Sequence, residues 1–95
     1  MPLRDPDQPA PDAIALALGA LGWVLADQAR AQRLLDLTGL SPEALRASLA
    51  DPHVLAPTLM AVLDFLAAHE PDLTAAAEAL GTSPAALVAA RQSLA

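Results

Sequence analysis

The sequence contains no cysteine, lysine or tyrosine, and only two aromatic residues, Trp23 and Phe65. Without cysteine there is no disulfide framework, no thiolate ligand for a metal and no cysteine nucleophile. The five basic residues are all arginine and stand against eleven acidic ones, so a net charge of −6 repels the phosphate backbone of nucleic acids. The four scattered glycines form no phosphate-binding loop. We therefore expect no nucleic-acid partner and no cofactor.

The 95 residues are enough for one small domain, and 55% of them are hydrophobic, which is too apolar for a disordered chain. There are 24 alanines and 19 leucines, whereas valine, isoleucine and threonine are scarce. This composition favours helices and offers little material for a sheet. The sequence predicts a single all-α domain.

One apolar run, residues 13–26, could be mistaken for a targeting or membrane segment. It is shorter than the roughly 18–20 residues that span a bilayer, and Asp12 and Asp27 flank it closely. The residues before it carry one arginine and three aspartates, unlike the basic start of a signal peptide. We expect a cytoplasmic protein with no membrane association.

Proline, glycine and capping residues divide the chain. Residues 1–11 hold four of the nine prolines and predict a flexible leader, followed by a single helical domain over residues 12–95. Asp12, Asp27, Glu70 and the Asp-Pro and Ser-Pro pairs predict helix starts, and Gly39 and Gly81 predict stops. We expect Pro57 to kink the fourth helix or to split off its first turn. The six predicted helices are 12–26, 28–38, 42–50, 52–68, 71–80 and 84–94.

The second half of the chain aligns with the first at an offset of 42 residues. This offset places Trp23 on Phe65, and it places the Gly-x-Ser-Pro sequence at residues 39–42 on the same sequence at residues 81–84. The pattern predicts a compact bundle built from two helix-helix-turn-helix repeats that share one core. The alternative is that a common capping motif is used twice without duplication.

Helical periodicity predicts the core. The first helix has an apolar stripe, and so does the fourth. The stripe of the first helix is Ile14, Leu18, Leu21 and Leu25. The stripe of the fourth is Leu55, Leu59, Val62, Leu63 and Leu66. We expect the first helix to be central and the fourth to keep a solvent-facing side that carries Asp64.

Four stretches resemble the family of small bacterial proteins called domain of unknown function DUF3572. They are ALGWVLAD, LLDLTGLSPEALR, VLDFLAAHEP and the closing SPAALVAARQSL. The resemblance covers about residues 13–94. It implies a soluble helical protein and supplies no activity, ligand or catalytic residue.

Few residues are suited to catalysis or metal binding. His53 and His69 lie at predicted helix ends without the spacing of a metal motif. Ser41 and Ser83 already serve as helix caps, which leaves no convincing catalytic triad. We expect no catalytic, cofactor or metal site and no small-molecule substrate. An enzyme that uses Asp64 or His69 is the weakest alternative.

Residues 73–94 resemble a helix-turn-helix, because a small-residue helix, Leu-Gly and a Ser-Pro start precede a second helix. That second helix offers Ala85, Ala86 and Ala89 where a recognition helix needs polar side chains, and its first basic residue is Arg91. A nucleic-acid-binding or transcription accessory protein is therefore the second hypothesis.

The leading hypothesis is a small non-enzymatic module for protein–protein interaction, a regulator or assembly factor that binds an unknown protein or itself. The candidate surface consists of Trp23, Arg30, Arg33 and Arg46. The alternatives for these residues are a core position for Trp23 and local ion pairs of Arg30 with Asp27, Arg33 with Asp36 and Arg46 with Glu43.

Overall fold

The computed structural model describes residues 11–95, which form six helices and no strand. The helices are α1 (Pro11–Leu25), α2 (Gln28–Thr38), α3 (Pro42–Ala50), α4 (Pro52–Ala67), α5 (Glu70–Ala79) and α6 (Pro84–Leu94). The predicted all-α bundle is confirmed, and every helix end lies within one residue of its predicted position. The predicted leader lies outside the described residues apart from Pro11, at which α1 begins.

Side chains cap helices where the sequence predicts it. The Asp27 carboxylate accepts a hydrogen bond from the backbone N–H of Arg30 at 2.9 Å, at the start of α2. The Ser41 hydroxyl accepts from Ala44 at 3.0 Å at the start of α3, and Ser83 does the same for α6. Each cap satisfies an amide that has no partner within its helix.

Two helix starts differ from the prediction. Because α1 begins at Pro11, Asp12 lies in its first turn instead of capping it. The cap position of α5 is His69, whose side chain makes no capping hydrogen bond, and Glu70 is the first helical residue. Both acidic side chains still lie at a helix N-terminus, where the helix dipole favours negative charge.

The two halves turn similarly but pack differently. The corner between α1 and α2 and the corner between α4 and α5 both bend by 115°. Gly39 and Gly81 both adopt a left-handed backbone conformation, with φ of 74° and 69°. However, α6 packs against α1, α4 and α5, whereas α3 packs mainly against α4. The duplication therefore stays a prediction.

Helix α4 is continuous through Pro57, so its first turn does not form a separate helix. Proline removes one helical hydrogen bond, the one that the carbonyl of His53 would accept, and His53 is exposed to solvent. The neighbouring Thr58 is buried, and its hydroxyl donates to the carbonyl of Val54 at 2.8 Å. Pro57 thus removes one hydrogen bond at a solvent-exposed position, and the buried Thr58 hydroxyl keeps its hydrogen-bond partner.

The core lies between α1 and α4, which pack against each other and against α6. The predicted stripe of α4 is confirmed, since Leu59, Val62, Leu63 and Leu66 are all buried and Leu55 is half-buried. The solvent-facing position of Asp64 is also confirmed.

The predicted stripe of α1 is wrong for two of its four residues. Leu21 is buried, but Leu18 and Leu25 are 42% and 43% exposed. The buried face of α1 instead carries small side chains, namely Ala13, Ala17, Ala20 and Val24 together with Leu21. Small side chains let α4 and α6 approach the α1 backbone closely, which turns the longer leucines toward the edge of the core.

Within residues 11–95, no individual helix has the length and hydrophobicity needed to cross a membrane. The α1–α2 and α4–α5 pairs reach that length and hydrophobicity only together, across their bends.

Candidate interaction surface

Trp23 lies at the corner between α1 and α2, under the side chain of Arg30. The ring is half-buried against the core, and the Arg30 guanidinium carbon lies 3.7 Å from its centroid. Nη2 of Arg30 donates a hydrogen bond of 2.7 Å to the carbonyl of Trp23, one of the last carbonyls of α1. A cation that stacks on the ring and binds a terminal carbonyl stabilises this corner.

The contacts of the Arg30 side chain hold it at the corner between α1 and α2. Its Nε is buried and makes no hydrogen bond with any described residue. Asp27 caps the backbone N–H of Arg30, and the predicted ion pair between their side chains is not formed. We infer a structural role for Arg30, since the guanidinium is held over the indole.

Arg33 and Phe65 form a second contact of the same type. The Arg33 guanidinium carbon lies 5.8 Å from the centroid of the Phe65 ring, and Nη2 forms an ion pair of 2.8 Å with Asp72 on α5. Arg33 therefore pairs with a residue 39 positions away and not with Asp36, which accepts a hydrogen bond from Gln32. Sequence spacing could not find this pair because the bend at the end of α4 creates it.

Arg46 differs from the other described arginines. It is exposed on α3, and no hydrogen bond, ion pair or ring contact joins it to the described residues, including Glu43 one turn away. It lines an open groove of about 220 Å³ between α3 and the ends of α1 and α2. The lining of this α1–α3 groove is Leu25, Leu35, Pro42, Leu45, Arg46 and Leu49.

The four residues of the predicted surface thus occupy different environments. Trp23 and Arg30 stack on each other, and Arg33 is paired with Asp72. Arg46, by contrast, lines the α1–α3 groove.

Leu18 and Leu25 are the exposed leucines of α1, and they lie on the side of the helix that carries the grooves. The helical periodicity of the sequence predicted both to be core residues. Leu25 lines the α1–α3 groove, and Ile14, near the N-terminus of α1, lines a second groove of about 280 Å³. The rest of this α1–α4 groove is Pro52, Leu55, Ala56 and Leu59. Leu18 lies on the same stripe of α1, between Ile14 and Leu25. The only signal in the sequence was that α1 is apolar all round and needs more cover than its neighbours supply.

The acidic and histidine side chains are dispersed. Across residues 11–95, no group of three His, Asp or Glu could hold a metal ion. Asp64 receives two hydrogen bonds from Arg91 on α6, of 2.9 and 3.3 Å. These hydrogen bonds and the charge of Asp64 raise the pKa of the Arg91 guanidinium above its ordinary value. Asp64 and Arg91 therefore serve as a surface ion pair that joins α4 to α6.

The segment that resembles a helix-turn-helix forms α5, a turn at Gly81 and α6. The exposed positions of α6 include Ala85, Val88 and Ala89, and its one arginine is paired with Asp64. This helix presents mainly small apolar side chains, which cannot hydrogen-bond to base edges.

The chain was compared with protein families, curated proteins and solved structures. No significant match was found among curated proteins or among solved structures. The model of the family described as "Protein of unknown function (DUF3572)" matches residues 10–95, nearly the whole sequence. The chain belongs to this family.

Proposed function

We propose that the protein is a non-enzymatic module that binds another protein through the apolar side of α1 and α3. The observation that carries this proposal is the exposure of Leu18 and Leu25, two leucines on one stripe of a helix whose opposite flank is packed. Water is an unfavourable environment for such side chains, and exposed apolar stripes beside grooves are typical of surfaces that another protein covers.

A further observation supports a binding role. The α1–α3 and α1–α4 grooves are lined almost wholly by apolar side chains, with Arg46 as their one ionisable lining residue. An apolar groove with a single charged side chain favours recognition.

Site-specific photocrosslinking tests this proposal. A benzophenone amino acid replaces Leu25 in one variant and Leu37 in a control. Leu37 is 75% exposed and lines neither groove, so the control carries the same probe on an exposed leucine elsewhere. In native lysate we expect discrete protein adducts from position 25 and only diffuse background from position 37.

The nucleic-acid hypothesis is tested in the same experiment. Nuclease treatment before irradiation should leave the adducts at position 25 unchanged. Equal adducts from both positions would contradict the proposed surface. Loss of the adducts after nuclease treatment would favour a nucleic-acid accessory protein.

A further inference from the structure

The lining of the α1–α3 groove includes Leu35 of α2, at the position on which the 42-residue offset places Ala77 of α5. Ala77 of α5 and Leu87 of α6 are each 1% exposed. The positions 42 residues earlier are Leu35 and Leu45. Leu35 is longer than alanine and only half-buried, and it lines the groove that separates α2 from α3. Leu35 thus lines an open groove, whereas Ala77 is buried.

The apolar surface extends beyond this groove along α1. Leu25 lines the groove, Leu18 lies two turns before it on the same stripe, and Ile14 opens into the α1–α4 groove. The two exposed leucines of the stripe, Leu18 and Leu25, lie about 10 Å, or two helical turns, apart along the helix axis. An elongated apolar surface of this length fits one face of a helix better than it fits a compact ligand.

Arg46 indicates that a partner bound in the α1–α3 groove carries a negative charge beside it. The groove lining contains this arginine and no acidic residue. The other described arginines are engaged: Arg30 with Trp23, Arg33 with Asp72 and Arg91 with Asp64. A carboxylate next to the apolar face of a bound helix would pair with Arg46, and at physiological salt the remaining negative charge of the chain is screened beyond about 8 Å.

We propose that the α1–α3 groove binds an amphipathic helix of another protein, with apolar side chains against Leu25 and Leu49 and a carboxylate on Arg46. This inference rests on the proposed function and adds the chemistry of the partner. A second copy of the chain is the alternative occupant, and sedimentation velocity distinguishes it from another protein.

Synthetic peptides test the proposal on the full chain. One helical peptide of about fifteen residues carries leucines at positions i, i+3, i+4 and i+7 with glutamates on both flanks of that stripe, and its twin carries glutamines instead. We expect the glutamate peptide to bind the wild-type protein about two- to fivefold more tightly than the glutamine peptide. This difference should vanish in Arg46→Gln and shrink at high salt.

A matched pair of substitutions tests the location. Leu25→Gln should weaken the binding of both peptides, whereas Leu37→Gln, on an exposed position that lines neither groove, should leave both unchanged. Far-ultraviolet circular dichroism of each variant checks that its helices are intact.

Four results would overturn the proposal. They are no binding of the glutamate peptide, equal affinity of the two peptides for the wild-type protein, binding that Leu25→Gln does not weaken, and a dimer in sedimentation velocity that Leu25→Gln dissociates. Crosslinks from position 25 combined with any of the first three results would retain the proposed function and reject only this partner. The absence of crosslinks would reject the proposed function itself.

Discussion

At the scale of single residues, Arg30 makes two different contacts with Trp23. Its guanidinium covers the face of Trp23 and binds the carbonyl of the same residue. Substitution by alanine removes a cation–π contact and a charged hydrogen bond, and it uncovers the ring. These losses affect both the stability of the corner and the exposure of the indole.

We expect Arg30→Ala to lower the free energy of unfolding by about 1–2 kcal/mol and to make Trp23 more accessible to iodide. Chemical denaturation measures the first effect and fluorescence quenching the second. The fluorescence signal belongs to this one site because Trp23 is the only tryptophan and the chain has no tyrosine. Arg46→Ala is the control, and it should change stability by less than about 0.5 kcal/mol because Arg46 has no partner among residues 11–95. Equal effects of the two substitutions would contradict the role of Arg30.

A second residue-scale prediction concerns Arg33 and Asp72. Their 2.8 Å ion pair lies at the surface, with the Arg33 side chain 52% exposed, so water and salt screen it. A double-mutant cycle with Arg33→Gln and Asp72→Asn should give a coupling energy of about 0.2–1 kcal/mol that falls with added salt. A larger coupling that resists salt would mean that the pair holds α5 in place.

At the scale of the helices, we expect substitution by alanine to have opposite effects on stability at two glycines. Gly22 lies within α1, is exposed, and a Cβ there would meet nothing within 4 Å. Gly22→Ala should therefore stabilise the protein by about 0.8–1 kcal/mol through helix propensity. Gly39 is equally open but has a φ of +74°, so Gly39→Ala should destabilise it by about 1–2 kcal/mol. Thermal or chemical unfolding of both variants checks the prediction, and a shift of the same sign in both would contradict it.

The sequence predicts the helices better than it predicts their packing. Caps such as Ser41 and Ser83 act within one turn, so local chemistry determines where α3 and α6 begin. Which face of α1 is buried depends instead on how closely neighbouring helices approach. Alanines that look featureless in the sequence form the buried face of α1 because they permit the closest approach.

The candidate site shows the same limit. Arg46 was predicted to belong to an interaction surface, but the groove beside it depends on Leu25, Leu35 and Leu49, which come from three helices. Arg33 and Asp72 meet only because the chain bends after α4. Features that depend on contacts between distant segments cannot be obtained from local spacing.

At the scale of the whole molecule, the leucines of α1 and α4 should divide into those that stabilise the fold and those that remain available for binding. Leu63→Ala empties a site that is 2% exposed and should cost about 2–5 kcal/mol. Leu18→Ala and Leu25→Ala remove side chains that are 42% and 43% exposed and should each cost less than about 1 kcal/mol. Urea denaturation of the three variants measures these differences. A cost at Leu18 or Leu25 equal to that at Leu63 would place that leucine in the core.

At the left-handed turns of Gly39 and Gly81, the stability of the fold should depend on the chirality of the residue that replaces glycine. Both positions are exposed and hold φ values that an ordinary amino acid disfavours but its mirror image adopts readily. At 95 residues, the chain is within reach of total chemical synthesis by segment ligation, in which D-alanine can be placed at either position. The D-residue would restrict the unfolded chain to conformations close to the native turn, which should raise stability by about 0.4–1 kcal/mol at each site. The added β-carbon would therefore strain each turn in L-alanine and rigidify it in D-alanine.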